Sequence, residues 1–212
     1  MSGAPSRVVL ATRSAGKRRE LAAFFASQGI AVDDLSTVGL GAEDPAEDAL
    51  ETYETFEENA RAKASYFAAR LHGHVVVADD SGLEVAALGG APGVRSKRWT
   101  GAPLEGTALD QHNVDALLAA LEPDDDRRAR YVSVVVARDI AGREWIARGE
   151  TSGRILRARD GDAGFGYDPI VWSDDLGASF GRVSQAEKDR VSHRGRAFRA
   201  LVAQWRATER LG

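Results

Sequence analysis

Two adjacent carboxylates, a hydroxyl and a glycine (Asp79-Asp80-Ser81-Gly82) follow directly on the apolar run Val75-Val-Val-Ala78. Three valines and an alanine read as a strand buried on both faces. Open α/β sheets hold their ligands at the carboxyl ends of the strands. Carboxylates at the mouth of an apolar strand are costly unless something positive meets them. A hydrated divalent cation carrying a phosphate ester fits that requirement. Successive strand side chains point to opposite faces, so one acid faces the ligand while the other supports a turn or orients a neighbouring group. Asp80, nearer the loop, is the candidate for the ligand side.

Further acids stand upstream. Glu51, Glu54, Glu57 and Glu58 precede or open an amphipathic segment, where acids already complement a helix dipole. The sharper reading has one of them meeting Asp80 across Mg²⁺, which needs only one or two carboxylates beside phosphates and water. Asn59 and Lys63 lie four apart on one helix face, placed to reach the same site or to bond each other.

Ala11-Thr-Arg-Ser-Ala-Gly-Lys17 lies between a strand and a helix, and free amides at a helix N-terminus attract anions. It is not a P-loop, because Ala11 stands at the first glycine position and Arg18 at the hydroxyl position. In one reading Thr12, Ser14, the Gly16 amide and Lys17 grip a triphosphate; in the other, a helix N-cap precedes a solvated lysine. In Glu187-Lys-Asp-Arg-Val-Ser-His-Arg-Gly-Arg196, Ser192 is a candidate N-cap, with His193 and Arg194 in the first turn. Cations there oppose the helix dipole. Either an anionic or carbonyl-bearing ligand accounts for them, or the face is basic and solvated through Arg196 and Arg199. Phe165, Tyr167 and Trp172 stack on a base or fill the core, and Trp172 reads as core.

The elements that must position these residues follow from hydrophobic spacing. Strands are expected over 7–11, 75–78, 131–137, 145–148 and 165–172, and helices over 17–26, 56–71, 109–121 and 193–209. Residues 33–52 are acidic and irregular and suit a mobile surface loop, and 89–93 form a tight turn. The glycine-punctuated middle suits antiparallel hairpins. The expected architecture is α/β: a mixed central sheet with flanking helices, forming one domain over 1–212. Its two lobes would leave an active-site cleft between them.

Composition removes other classes. At 212 residues and 43% hydrophobic, the chain can bury a real core. A net charge of −4 gives no global field toward nucleic acid or membrane. No apolar stretch is long enough to span a bilayer, and residues 1–12 do not resemble a signal peptide. With no cysteine there is no disulfide, which suits a cytoplasmic protein. Ser81 lacks the Gly-x-Ser-x-Gly setting of a serine hydrolase. The histidines at 72, 74, 112 and 193 lack zinc-site spacing. No dinucleotide fingerprint follows a strand.

Taken together, five segments resemble the inosine triphosphate pyrophosphatases, also called Ham1-like. They are Thr55-Phe-Glu-Glu-Asn-Ala-Arg-Ala-Lys-Ala64, Ala78-Asp-Asp-Ser-Gly-Leu83, Ala87-Leu-Gly-Gly-Ala-Pro-Gly-Val-Arg-Ser-Lys-Arg98, Gly164-Phe-Gly-Tyr-Asp-Pro-Ile170 and Ser192-His-Arg-Gly195. The resemblance runs in order through roughly 7–205. It implies Mg²⁺-dependent hydrolysis of a nucleoside triphosphate between the α and β phosphates, with the deaminated purines ITP, dITP and XTP as substrates, and a homodimer. Position by position, it makes Asp80 the proton acceptor and a metal ligand, with Glu51 the other ligand. Thr12, Arg13, Ser14, Ala15, Gly16 and Lys17, with Ser81, would hold phosphates and sugar. Phe165, Gly166, Tyr167 and Asp168 would frame the base, and Lys188, His193 and Arg194 would complete the pocket.

The chain departs from the family pattern at Arg13 and Ser14, where Gly-Asn is usual, at Tyr53 in place of a common glycine, and at Arg182. Arg13 adds a charge placed to contact phosphate. Hypoxanthine and xanthine carry an acceptor at the 6-position, where adenine carries a donor. A fixed donor there, from Arg194 or a main-chain amide, selects against adenine. Rejection of GTP falls to the 2-position, with the 165–168 turn the candidate. Three alternatives stand beside this reading: a nucleotide sensor without catalysis, an RNA-binding module built on 190–199, and a pyrophosphatase for other triphosphates.

Overall fold

In this computed structural model, which describes residues 4–209, the chain divides into two compact units. One comprises 4–80, 133–149 and 195–209; the other comprises 81–132 and 150–194. The elements in chain order are β1 (Arg7–Leu10), α1 (Ala15–Ser27), β2 (Ala31–Asp34), α2 (Phe56–Ala68), β3 (Val76–Val85), α3 (Gly106–Ala119), β4 (Arg128–Arg138), β5 (Glu144–Ile155), β6 (Val171–Ser173), β7 (Ala178–Ser179), α4 (Gln185–Val191) and α5 (His193–Glu209). Seven strands pair in the order β2-β1-β3-β4-β5-β6-β7. β1 is parallel to both β2 and β3, whereas β5, β6 and β7 pair antiparallel, so the sheet is mixed as expected.

The first unit shows why its strands are apolar throughout. Val8, Leu10, Val75 and Val77 enter one cluster with Leu21 and Phe25 of α1 and Phe198, Leu201 and Trp205 of α5. The alternate residues Val9, Ala11, Val76 and Ala78 enter another with Ala60, Ala64 and Phe67 of α2. Period-two alternation therefore delivers apolar side chains to both faces, as parallel strands between helices require. Phe25 and Phe198 meet edge to face with centroids 5.4 Å apart. The second unit has its own core, with Leu83, Val85, Leu117, Tyr131, Ile155, Ile170 and Phe180 among its members.

Three expectations are corrected, and one further helix is found. Residues 33–52 are not an irregular loop throughout. β2 takes 31–34, and a 3-10 turn over Pro45–Glu51 is closed by a capping box between Asp44 and Glu47. β3 does not end at Ala78 but runs on to Val85, because Leu83 and Val85 continue the buried pattern. Its last registered pair with β1 is Leu10↔Val77, so the acids lie beyond β1's carboxyl end rather than beyond β3's own. Residues 165–172 are not one strand. A turn and a short 3-10 segment, Asp168–Ile170, precede β6, since Gly164 and Gly166 both take positive φ. A separate α4 stands before the final helix, and Ser192 is the one extended residue between them. α5 itself begins at His193, as the spacing predicts.

Candidate active site

Asp80 sits on β3 in the first unit and is buried. Its Oδ2 accepts from Asn59 Nδ2 at 3.0 Å and its Oδ1 from Lys63 Nζ at 3.3 Å. The same ammonium donates to Glu51 Oε1 at 2.9 Å and to the Asp79 carbonyl at 2.6 Å. Glu51 and Asp80, the two residues expected to ligate a metal, thus converge on one cation, the tip of Lys63. Burial raises the Asp80 carboxyl above its ordinary value, and Lys63 and Lys17 offset this only in part. Burial pulls the Lys63 ammonium down, yet Asp80, Glu51 and Asp79 outweigh it, and the group sits above the ordinary lysine value.

Asn59 and Lys63, which the sequence placed on one helix face able to reach this site or to bond each other, both reach Asp80. A signal for them exists. Phe56, Asn59, Ala60, Lys63, Ala64 and Phe67 are all buried and follow the i, i+3, i+4, i+7 spacing of one helix stripe. Polar members of a buried stripe need partners. Asn59 bonds the Tyr53 backbone on both sides, accepting its N–H at 3.0 Å and donating to its carbonyl at 3.4 Å. No non-glycine residue among those described has a positive φ, so the backbone at Tyr53 accommodates a side chain without strain.

The adjacent Asp79 goes elsewhere. Its carboxylate pairs with Lys17 Nζ at 3.0 Å, so Lys17 is not a solvated lysine. Ser14 caps α1 by accepting the Lys17 N–H, and Thr12 Oγ1 accepts the Ser14 N–H at 3.3 Å. Arg13 is committed to its own chain, with both carboxylate oxygens of Glu47 and three carbonyls of 40–42 as acceptors.

A second constellation lies within the second unit. Asp168 Oδ2 accepts from Lys188 Nζ at 2.6 Å and from the Phe165 amide at 2.9 Å, and its Oδ1 accepts from the Tyr131 hydroxyl at 3.3 Å. A Cβ on Gly164 would collide with that carboxylate, so glycine is required there. Burial and Asp168 hold the Tyr131 phenol well above its ordinary value, so it stays a neutral donor. His193 stacks on Tyr131 with centroids 4.6 Å apart. Lys188 Nζ and the Arg194 guanidinium lie 4.7 and 5.7 Å from the Phe165 ring centroid. Arg194 Nη2 donates to Ser81 Oγ at 3.0 Å. Asp110, absent from the expected set, accepts the Gly166 N–H at 2.8 Å, and burial raises its carboxyl above the ordinary value. Tyr167 donates its hydroxyl to the Ser96 carbonyl at 2.9 Å. Arg182 pairs with Asp160.

Fold and chemistry together define an α/β protein in which buried Asp80 and partly exposed Glu51 share one cation, with aromatic and cationic side chains clustered at a glycine-flanked turn. The Ham1 family model matches residues 8–204, and the chain belongs to that family. It is 47% identical over 201 residues to a dITP/XTP pyrophosphatase of Mycolicibacterium paratuberculosis, covering 93% of this chain and 94% of the relative. A protein of the same description from Nocardia farcinica is 44% identical, with 93% of each chain covered. The solved Ham1 protein of Staphylococcus aureus superposes with a TM-score of 0.78 at 34% identity, covering 93% of this chain and 97% of that one. A nucleoside-triphosphatase / dITP/XTP pyrophosphatase of Mycobacterium abscessus gives 0.69 at 37% identity, covering 92% and 98%.

Proposed function

We propose that this protein hydrolyses the triphosphates of deaminated purines (ITP, dITP and XTP) to the nucleoside monophosphate and pyrophosphate. The observation that carries the reading is the convergence of Glu51 and Asp80 on a single cation, in a chain whose relatives are described as dITP/XTP pyrophosphatases.

The donor set suits Mg²⁺. Both groups are hard oxygen ligands that already share one positive charge, and among the described residues no third acid or histidine joins them. Glu51 and Asp80 would hold the ion. When bound, it supplies charge neutralisation at phosphate oxygens and lowers the pKa of water. Asp80, with its carboxyl raised by burial, is the group placed to take the proton of the attacking water. Lys63 and Lys17 bring ammonium groups that neutralise charge developing on the departing pyrophosphate.

Base choice rests on Arg194. The amides of Phe165 and Gly166 already donate to Asp168 and Asp110, and that of Asp168 to the Phe165 carbonyl. Three amides of this turn are thus engaged, and the Arg194 side chain is the donor to which the reading gives the 6-oxo group. A guanidinium has donors only. Held beside Ser81 and Phe165, it suits a 6-oxo acceptor and opposes a 6-amino group. Mispairing one such buried group costs about 1–3 kcal/mol.

A homodimer and a cytoplasmic setting belong to the same reading and rest on the family resemblance. No helix among the described residues is long and apolar enough to cross a membrane. The test is pyrophosphate release from ITP, dITP, XTP, GTP, ATP and dTTP, with and without Mg²⁺. Cleavage of ATP as fast as ITP removes the specificity, and release without Mg²⁺ removes the metal.

A further inference from the structure

We propose that Arg13 is a positioning residue that fixes the segment carrying Glu51, and is not a ligand of the triphosphate. This rests on the reading that Glu51 belongs to the metal and phosphate site. A guanidinium offers five N–H donors in a rigid planar fork. In this chain all of them are used locally. Nε donates to Glu47 Oε2 at 2.9 Å and Nη2 to Glu47 Oε1 at 2.6 Å, a bidentate pair. Nη1 donates to the carbonyls of Leu40 at 2.7 Å and Gly41 at 3.1 Å, and Nη2 also to that of Ala42 at 3.0 Å. The guanidinium carbon lies 5.9 Å from the centroid of the Phe67 ring. Engaging a phosphate would require breaking contacts that are already satisfied.

The partners say what the clamp does. Residues 40–42 lie outside any strand or helix, so their carbonyls have no ladder to satisfy them. Glu47 also accepts the Asp44 N–H at 3.1 Å, so the carboxylate that receives Arg13 is the one that closes the capping box. The turn thus anchored, Pro45–Glu51, ends on Glu51 itself. Arg13 belongs to the loop between β1 and α1, directly before the first turn of α1, which carries Lys17, whose ammonium pairs with Asp79 beside Asp80. A single side chain therefore ties the loop that leads into α1 to the turn of Glu51. At its other end Glu51 is held by Lys63. Should a cation or phosphate draw the Lys63 ammonium away, the Arg13 clamp would still constrain the turn. A lysine at this position would keep the charge without the fork.

The experiment uses Arg13→Gln, Glu47→Gln and the double variant of the full chain. In metal-free protein, amide hydrogen exchange over 40–51 should quicken by about tenfold in each single variant, and the double variant should add little. In dITP hydrolysis, the Mg²⁺ concentration for half-maximal activity should rise alike in all three. The KM for dITP at saturating Mg²⁺ should hold within about twofold. Unchanged exchange over 40–51 overturns the proposal. So does an Arg13→Gln protein whose KM for dITP rises while that of Glu47→Gln does not, since that marks a phosphate ligand. If the parent protein releases no pyrophosphate from any triphosphate, the functional reading fails, and the exchange arm still decides the clamp. Should Arg13→Gln not fold, Arg13→Lys takes its place with the same expected outcomes.

Discussion

The carboxylate cluster around Asp80 and the aromatic–cation cluster around Asp168 are both buried, yet they are held in opposite ways. Asp80 is satisfied by the ends of two side chains from α2, Asn59 and Lys63, and Lys63 is a long flexible stem whose ammonium is shared with Glu51. Asp168 is satisfied by the amide of its own turn, by Lys188 and by Tyr131. The first arrangement holds a charge that another cation can replace. The second locks a backbone shape. Under the proposed function, the contrast would give exchangeable electrostatics to the chemical step and rigid geometry to selection.

The largest expected effect breaks the first cluster. Asp80→Asn should lower kcat by on the order of 10³-fold, as loss of a general base does. Its Tm should fall by a few degrees, since the new amide turns a donor toward either Asn59 or Lys63, while Glu51 still pairs the Lys63 ammonium. A turnover number near the parent's would end the assigned role of Asp80. Asp168→Ala should do the reverse and destabilise the fold, because it strands the buried Lys188 ammonium without its carboxylate. Breaking such a pair costs about 3–5 kcal/mol, readable by denaturant melts. A melt like the parent's would show that the second cluster is not a structural lock.

Arg194→Met should reduce the ratio of kcat/KM for ITP over ATP by about tenfold or more, from loss of one matched donor. An unchanged ratio would move base selection to another residue. The smallest effect concerns Glu47, whose carboxyl Arg13 holds below its ordinary value. Such a group stabilises the fold above the ordinary carboxylate range and loses that contribution as pH falls through the lowered value. Glu47→Gln should therefore melt slightly lower than the parent at neutral pH, with the difference closing on acidification. A gap that persists in acid would mean that Glu47 acts through packing rather than charge.

Much of this architecture was legible beforehand because it rests on local pattern. Valine runs marked β1 and the start of β3, and the stripe beginning at Phe56 marked α2. α5 begins at the predicted His193. β2 was missed because Ala-Val-Asp-Asp carries little strand signal, and its pairing with Arg7–Leu10 supplies the hydrogen bonds that make it one. The extension of β3 through two acids was missed for a related reason. Nothing local states that Leu83 and Val85 will be covered by the second core.

Residue identities alone determined the chemical inventory: acids after an apolar strand, a lysine in a strand–loop–helix, and aromatics beside glycines at a turn. Spacing within a helix even placed Asn59 and Lys63 on one face. Tertiary structure decided who meets whom. Lys63 reaches Asp80 across 17 positions of sequence, Arg13 reaches Glu47 across 34, and Asp110 reaches Gly166 across 56. Such pairings depend on the packing of whole elements, and a one-dimensional pattern encodes a side chain's type and periodicity but not the neighbour that folding brings to it.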